Sequence, residues 1–351
     1  MAKPIKLAIN GLGRIGRVFL RIAWDNPHFD IIAANSRSDL ATYAHLLKYD
    51  STYGIWDKTV RVEGSNLVIG NPAERGSSHA QRDKTIPFIQ EADTMDLPWG
   101  KLGAELVLDA TGKFKSRAEA EAHIKAGAKY VVVTAPGHDH EATLVYGVNH
   151  KEFDPAKHQI ISGASCTSIC SSLVVKVLEE SFGIERGFIN TVHAFTSDQS
   201  LQDGAHKDLR RARAASQSII PSTTGVTNTI GKMFPQLAGK ISGMSFRVPV
   251  IDPSVLAISA QLKTSVTAEA VNQAFIKSAS GELKGHLAVS DLPLVSRDYQ
   301  GNPSGATIDL LSTEVVDGSF VNVLAWYDNE WGYVTQLTNL LEHLAKEIKK
   351  N

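Results

Sequence analysis

KLAINGLGRIGRVFLRIA, residues 6–23, passes from a short apolar run through three glycines into residues at helical spacing. Gly11, Gly13 and Gly16 form a GxGxxG between a predicted strand and a predicted helix carrying Ile15, Val18, Phe19, Ile22 and Ala23. IIAAN (31–35) then completes a βαβ unit of about 30 residues. ELVLDATG (105–112), YVVVTAP (130–136) and QIISG (159–163) continue the alternation of strand and helix signals, which predicts a Rossmann-type doubly wound parallel sheet. In that setting the turn predicts a dinucleotide, its pyrophosphate held by amides such as those of Arg14 and Ile15 at the helix N-terminus. A tight strand-to-helix turn without a ligand is the alternative.

The texture changes near residue 166. RGFINTVHAF, ISGMSFRVPVI, VLAISAQLK and FVNVLAWYD read as longer alternating strands, with helices at 167–181 and 267–279, predicting an α+β domain with a mostly antiparallel sheet. The expected division is a dinucleotide-binding domain at 1–165, a second, catalytic domain at 166–329, and a C-terminal helix (330–351) returning to the first. That helix carries Leu337, Leu340, Leu341, Leu344 and Ile348 on one face. NPAERGSSHAQRDK (71–84) reads as a polar surface excursion.

Composition narrows the function. The 351 residues are 43% hydrophobic and 21% charged, which suits folded domains and not a disordered chain. Net charge is −1, so no global field favours nucleic acid or a membrane surface. MAKPIKLAIN reaches Asn10 and the glycine turn before a signal-peptide core could form, and no apolar run reaches spanning length, so a cytoplasmic protein is expected. Cys166 and Cys170 are too few for a disulfide framework and spaced too closely for a zinc site, so any cysteine function is chemical and no metal is expected.

The carboxylate expected about 20 residues beyond the glycines, to accept ribose hydroxyls, is absent. Ser36 and Arg37 stand there, after Asn35, and a guanidinium suits a 2′-phosphate that a carboxylate would repel. NADP is therefore favoured, with NAD the alternative; a solvated Arg37 is the plainer reading. Thr111, Gly112 and Thr134, at the ends of two further parallel runs, join the cofactor set.

In ISGASCTSICSSLVVKVLEE, Ser165 reads as a helix N-cap and Cys166 as a first-turn residue, where the helix terminus lowers a thiol pKa. Cys170, one turn on, reads as a buried inert thiol. TVHAFTSDQ offers His193 as a base for Cys166, with Thr196 and Asp198 nearby; a satisfied core histidine is the alternative. Arg210, Arg211 and Arg213, then Ser222, Thr223, Thr224 and Gly225, and later Arg247, are groups that bind phosphate, although some of the arginines suit a subunit contact equally.

NGLGRIGR, AHLLKYDS, ASCT, HAFTSDQ, HKDLRRARAA, PSTTG, FRVP and WYDNEWGY occur collinearly almost from end to end of the chain, which thereby resembles phosphorylating glyceraldehyde-3-phosphate dehydrogenases. The resemblance implies that the Cys166 thiolate attacks an aldehyde, His193 handles the protons, hydride goes to the nicotinamide, and inorganic phosphate releases the thioester as 1,3-bisphosphoglycerate. It implies a substrate-phosphate site at Thr196, Asp198, Arg211 and Arg247. A second site for inorganic phosphate would comprise Ser165, Thr167, Thr224 and Gly225, and Asn329 would orient the nicotinamide carboxamide. A homotetramer is also implied, with the arginine-rich loop 203–216 at a subunit contact.

Departures concentrate near the cofactor. Ser36 replaces the usual acidic residue and Gly204-Ala205 the usual Leu-Pro before HKD, both in the direction of NADP, while Glu91-Ala92-Asp93 lacks the Arg of the usual ERD. Gly163 and Ile169 replace two asparagines around the Cys166 turn. Erythrose-4-phosphate dehydrogenase is the near rival, through AASQSIIP and DLPLVS, but it typically lacks the inorganic-phosphate loop, and Thr196, Thr224 and Gly225 are kept here. A non-catalytic nucleotide-binding redox sensor is the rival from another class.

Overall fold

A computed structural model describes residues 3–72 and 83–350; most of the excursion expected at 71–84 lies outside the described residues. The chain divides into two compact units. One comprises the residues up to 144, then 152–163 and 338 onward; the other comprises 145–151 and 164–337.

In the first unit Ile5–Asn10 is buried at every position but Lys6, as a strand covered on both faces must be. Gly11 ends it at φ +100°, a conformation that a side chain would strain. The chain then enters the helix Arg14–Ala23, which buries Val18, Phe19, Leu20 and Ala23. A Cβ on Gly16 would lie 2.0 Å from the Gly11 carbonyl oxygen, so this close approach of helix to turn admits glycine alone.

The nine-stranded sheet runs in the order Ala142–Thr143, Ile160–Ser162, Tyr130–Val133, Leu106–Asp109, Ile5–Asn10, Phe29–Asn35, Lys84–Ile89, Asn66–Gly70, Thr59–Glu63. The first seven strands pair in parallel, and the last two add an antiparallel hairpin at the edge. The chain leaves Ile5–Asn10 toward Phe29–Asn35 on one flank and later adds Leu106–Asp109 on the other. That reversal of strand order opens a crevice at the carboxyl ends of these strands. The doubly wound parallel sheet is the one expected, but the sequence reading missed Lys84–Ile89, whose central Pro87 reads as a strand breaker, and the hairpin beyond it. The end of the C-terminal helix Trp331–Ile348 buries Leu340, Leu341 and Leu344, and Lys349 just past it reaches Glu105 at 2.7 and 2.8 Å.

The second unit holds a seven-stranded sheet in the order Ile220–Ser222, Ile241–Val248, Ile184–Ala194, Ser254–Leu262, Phe320–Tyr327, Ala306–Val316, Leu287–Ser290. Ser254–Leu262 alternates strictly between buried and half-buried, the pattern of a sheet with one covered face. The expected helices appear as Cys166–Phe182 and Ala268–Ser280. The sheet is mostly antiparallel with two exceptions, since Ile184–Ala194 lies parallel to Ile241–Val248 and Leu287–Ser290 parallel to Ala306–Val316. The first of these sets His193 opposite Arg247. Among the described residues no helix is long and apolar enough to cross a membrane, and no group of three His, Cys, Asp or Glu side chains is placed to hold a metal.

Candidate active site

The first unit's crevice is a pocket of about 370 Å³, within the range of small-molecule sites. Gly11, Gly13, Asn35, Ser36, Arg37 and Thr111 of the expected set line it; Arg14, Ile15, Gly16, Gly112 and Thr134 are not on its wall. Glu91, noted in sequence as part of the altered ERD segment, lines it too, and Asn10, Tyr43, Lys113 and Phe114 on its wall were not read in sequence as cofactor residues. Gly13 caps the Arg14–Ala23 helix without a side-chain bond, and the first turn holds no acidic residue. The backbone N–H groups of that turn therefore suit a pyrophosphate, which is the donor set a dinucleotide needs.

A buried polar network fixes the strand ends beneath the pocket. Trp99 Nε1 donates to His123 Nδ1 at 3.0 Å, so His123 Nε2 carries the proton and faces Asp109 Oδ2 at 3.1 Å. Asn10 Nδ2 donates to the same carboxylate at 2.7 Å, Asn35 Nδ2 donates to Asn10 Oδ1 at 2.7 Å, and Thr111 Oγ1 donates to Asp109 Oδ1 at 2.7 Å. Three neighbouring strands thus present their ends in one fixed arrangement.

Ser36 is not a free ligand. Its side chain is buried, with Oγ accepting from Leu12 N–H at 3.4 Å and donating to the Tyr43 hydroxyl at 2.6 Å. The carboxylates on the wall are turned onto their own loops: Glu91 accepts from Ala92 and Asp93 N–H, and Glu119 from Lys115 and Ser116 N–H. The cationic ends of Arg37 and Lys113 make no hydrogen bond or ion pair among the described residues, so the pocket's uncommitted charge is positive.

In the second unit Ser165 caps the helix Cys166–Phe182, its Oγ accepting from Ser168 N–H at 3.2 Å, and Cys166 is the first helical residue. Ser165 Oγ, Ser168 Oγ and Thr229 Oγ1 then form a chain of contacts at 2.9 and 3.3 Å that ends on the Gly225 carbonyl. Gly225 caps the helix Val226–Met233 without a side-chain bond, so two helix N-termini, each partially positive, open side by side.

Cys166 Sγ lies 3.4 Å from His193 Nε2. His193 Nδ1 is 2.7 Å from the Ala194 carbonyl, and in the tautomer that donates its ring proton there, Nε2 would present its lone pair to sulfur. Arg247 Nη1 packs against the same Nδ1 at 2.9 Å and donates to the same carbonyl at 3.1 Å. Burial and the Arg247 charge hold His193 down at about 3, so the imidazole is neutral.

The fall in thiol pKa expected from the helix terminus does not emerge. Burial pushes the Cys166 thiol up, and the pull of Arg247 and of the Thr167 hydroxyl offsets this only in part. Cys170 is fully buried, and burial pushes its thiol well up.

Arg247 Nε is a buried donor with no hydrogen-bond partner among the described residues. Such a donor, beside a nucleophile and two helix termini, fits an anion. Arg211 is committed differently, ion-paired with Asp198 and donating to Ser222 Oγ from Nε at 2.8 Å. Thr196 N–H donates to Gln199 Oε1 at 3.3 Å, and Thr224 Oγ1 accepts from Val226 N–H at 3.3 Å. Asn329 is buried, its Oδ1 accepting from Ser254 Oγ at 2.7 Å while Ser254 accepts from Ala194 N–H at 3.0 Å. Ser254, and Tyr327 whose hydroxyl meets Thr167 Oγ1 at 3.0 Å, were not singled out in sequence as site residues, although Tyr327 falls within WYDNEWGY.

A glycine-turn dinucleotide pocket in one unit and a thiol facing a neutral imidazole in the other define a nicotinamide-dependent oxidoreductase. Comparison with known proteins agrees. Residues 5–117 match the family described as glyceraldehyde 3-phosphate dehydrogenase, NAD binding domain, and residues 165–329 its C-terminal domain. The glyceraldehyde-3-phosphate dehydrogenase of Geobacillus stearothermophilus is 46% identical over 343 residues, spanning 98% of this chain and 99% of the relative. Glyceraldehyde-3-phosphate dehydrogenase 1 of Bacillus subtilis is 45% identical with the same coverage, and glyceraldehyde-3-phosphate dehydrogenase 2 of Streptomyces avermitilis is 43% identical over 345 residues, 98% of this chain and 99% of the relative. The chain belongs to the glyceraldehyde-3-phosphate dehydrogenase family.

Proposed function

We propose that the protein oxidises glyceraldehyde 3-phosphate with inorganic phosphate to 1,3-bisphosphoglycerate, with NADP as preferred cofactor. The observation that carries the reading is Cys166 Sγ held 3.4 Å from Nε2 of a neutral His193. His193 Nε2 takes the thiol proton as sulfur bonds to the aldehyde carbon, then returns it to the resulting oxyanion, leaving a neutral thiohemiacetal. The bound nicotinamide supplies the hydride acceptor. As the C–H bond breaks, His193 Nε2 takes the hydroxyl proton, and the carbonyl of a thioester on Cys166 forms. Attack by inorganic phosphate on that carbonyl expels Cys166, which recovers its proton from His193, while the proton of the attacking phosphate goes to solvent.

Arg247, with its unspent Nε–H, supports an anion site beside the sulfur, with Thr196, Asp198 and Arg211 as the proposed remainder of the substrate-phosphate site. Ser165, Thr167, Thr224 and Gly225, at the paired helix termini, are the proposed inorganic-phosphate site. Asn329 would meet the nicotinamide carboxamide, held by Ser254. Arg37 and Lys113, with no carboxylate at position 36, support NADP over NAD. We infer a homotetramer, supported by the exposed Leu201, Leu209 and Ile219 around the arginine-rich loop, and a cytoplasmic location, where a working thiol stays reduced.

Absorbance at 340 nm, with each cofactor and with or without phosphate, tests the reading. Phosphate-dependent turnover of glyceraldehyde 3-phosphate is the expected result. Turnover with erythrose 4-phosphate alone, independent of phosphate, would transfer the assignment to the erythrose enzyme. No turnover with either substrate would leave a nucleotide-binding protein.

A further inference from the structure

Ser36 and Arg37 stand where the sequence leads one to expect the 2′ end of the cofactor, yet the Ser36 hydroxyl is committed inside the protein. Its oxygen accepts from Leu12 N–H, and its hydrogen goes to the Tyr43 oxygen at 2.6 Å. Tyr43 lies one turn into the helix Leu40–Lys48, whose N-cap Asp39 accepts from Thr42 N–H at 2.9 Å. Its ring packs against Phe88 with centroids 5.9 Å apart, so the helix, the ring contact and the Ser36 bond together fix the phenol on the pocket wall.

The hydrogen count then matters. Tyr43 has one hydroxyl hydrogen, and because its oxygen receives the Ser36 hydrogen, its own remains to donate. Tyr43 is half-buried and lines the same pocket as Arg37, whose guanidinium is uncommitted. A neutral directional donor beside a cation is a combination that reads a phosphate monoester more strictly than a ribose hydroxyl, because a hydrogen bond to a charged acceptor is the stronger one.

We infer that Tyr43 is a specificity-determining residue, its hydroxyl donating to the 2′-phosphate of the cofactor, and that Ser36 is its positioning residue. This rests on the NADP reading above. It gives Ser36 a role that a carboxylate could not fill, since an ionised carboxylate has no hydrogen to give Tyr43 and would bring negative charge to the 2′ site.

The test separates this inference from the reading beneath it. Dissociation constants for adenosine 2′,5′-bisphosphate and for 5′-AMP are measured by calorimetry on the wild-type chain and on Tyr43→Phe, which keeps the ring against Phe88 and removes only the oxygen. The wild type is expected to prefer the bisphosphate, and Tyr43→Phe to lose roughly tenfold or more of that preference with 5′-AMP binding changed less than about twofold. Ser36→Ala should give a smaller loss in the same direction. A wild-type preference that survives intact in Tyr43→Phe overturns the Tyr43 assignment and leaves NADP standing on Arg37. Equal weakening of both ligands also overturns it, since Tyr43 would then only shape the pocket. A wild type without preference for the bisphosphate removes the NADP reading and this inference together.

Discussion

Replacing His193 by Asn removes the lone pair that faces Cys166 and keeps a polar side chain of smaller size. An ordinary cysteine thiol, with a pKa of about 8.5, is roughly one-tenth ionised at pH 7.5. Burial raises the Cys166 thiol, so spontaneous thiolate is scarcer still. General base assistance of this kind contributes about 10²–10⁴-fold, and a loss of that size in the pre-steady-state burst at 340 nm is expected for His193→Asn at pH 7.5. The residual rate of the variant should climb close to tenfold per pH unit as the thiolate fraction grows. The cofactor-free wild type offers a second readout, alkylation of Cys166 by iodoacetamide across pH. A neutral His193 makes no thiolate–imidazolium pair, so alkylation should follow one inflection above the ordinary thiol range. An inflection below pH 7, or a His193→Asn burst within about tenfold of wild type, would refute the reasoning.

Three further outcomes are expected. Asp252 is held protonated up to about 9 by burial and by the neighbouring Asp328 carboxylate, so between about pH 4, its unfolded value, and 9 the folded chain binds an extra proton and stability falls as pH rises; thermal melts of Asp252→Asn should show a smaller drop in Tm from pH 5 to pH 9 than wild type, and an equal drop would remove Asp252 as the cause. Ser254→Ala strips a hydrogen bond from both Asn329 Oδ1 and Ala194 N–H, costing about 1–3 kcal/mol per buried group left unpaired, and should raise the cofactor KM more than it lowers the rate of Cys166 alkylation. Gly16→Ala drives a Cβ into the Gly11 carbonyl, so calorimetry should detect no dinucleotide binding, and retained affinity would show that the turn can open.

What was legible in sequence was local. The glycine turn announces itself because GxGxxG, the apolar run before it and the helical spacing after it lie within 18 residues, and Ser165-Cys166 because a cap and the residue it starts are adjacent. The pKa of Cys166 was misjudged for the complementary reason. The helix terminus is visible in sequence, whereas the packing that desolvates sulfur comes from elements distant in the chain, and burial is the largest influence on the thiol here. The His193–Arg247 contact likewise depends on a parallel register between strands that alternation alone suggests are antiparallel.

Ser36 shows the same limit at shorter range. The residue type at the end of the second strand states which cofactor is not repelled, yet what its hydroxyl does is decided by Tyr43, brought back by one turn of the following helix. A serine read as a ligand in sequence thus becomes, in the fold, the group that aims another residue. On the proposed reading, position 36 would act on cofactor choice in two ways at once, through the charge it omits and through the hydrogen it gives to Tyr43. A substitution there that restores only neutrality, such as Ser36→Ala, should preserve tolerance of a 2′-phosphate while weakening its recognition, and that separation of tolerance from recognition is what a carboxylate-or-not reading of the site could not predict.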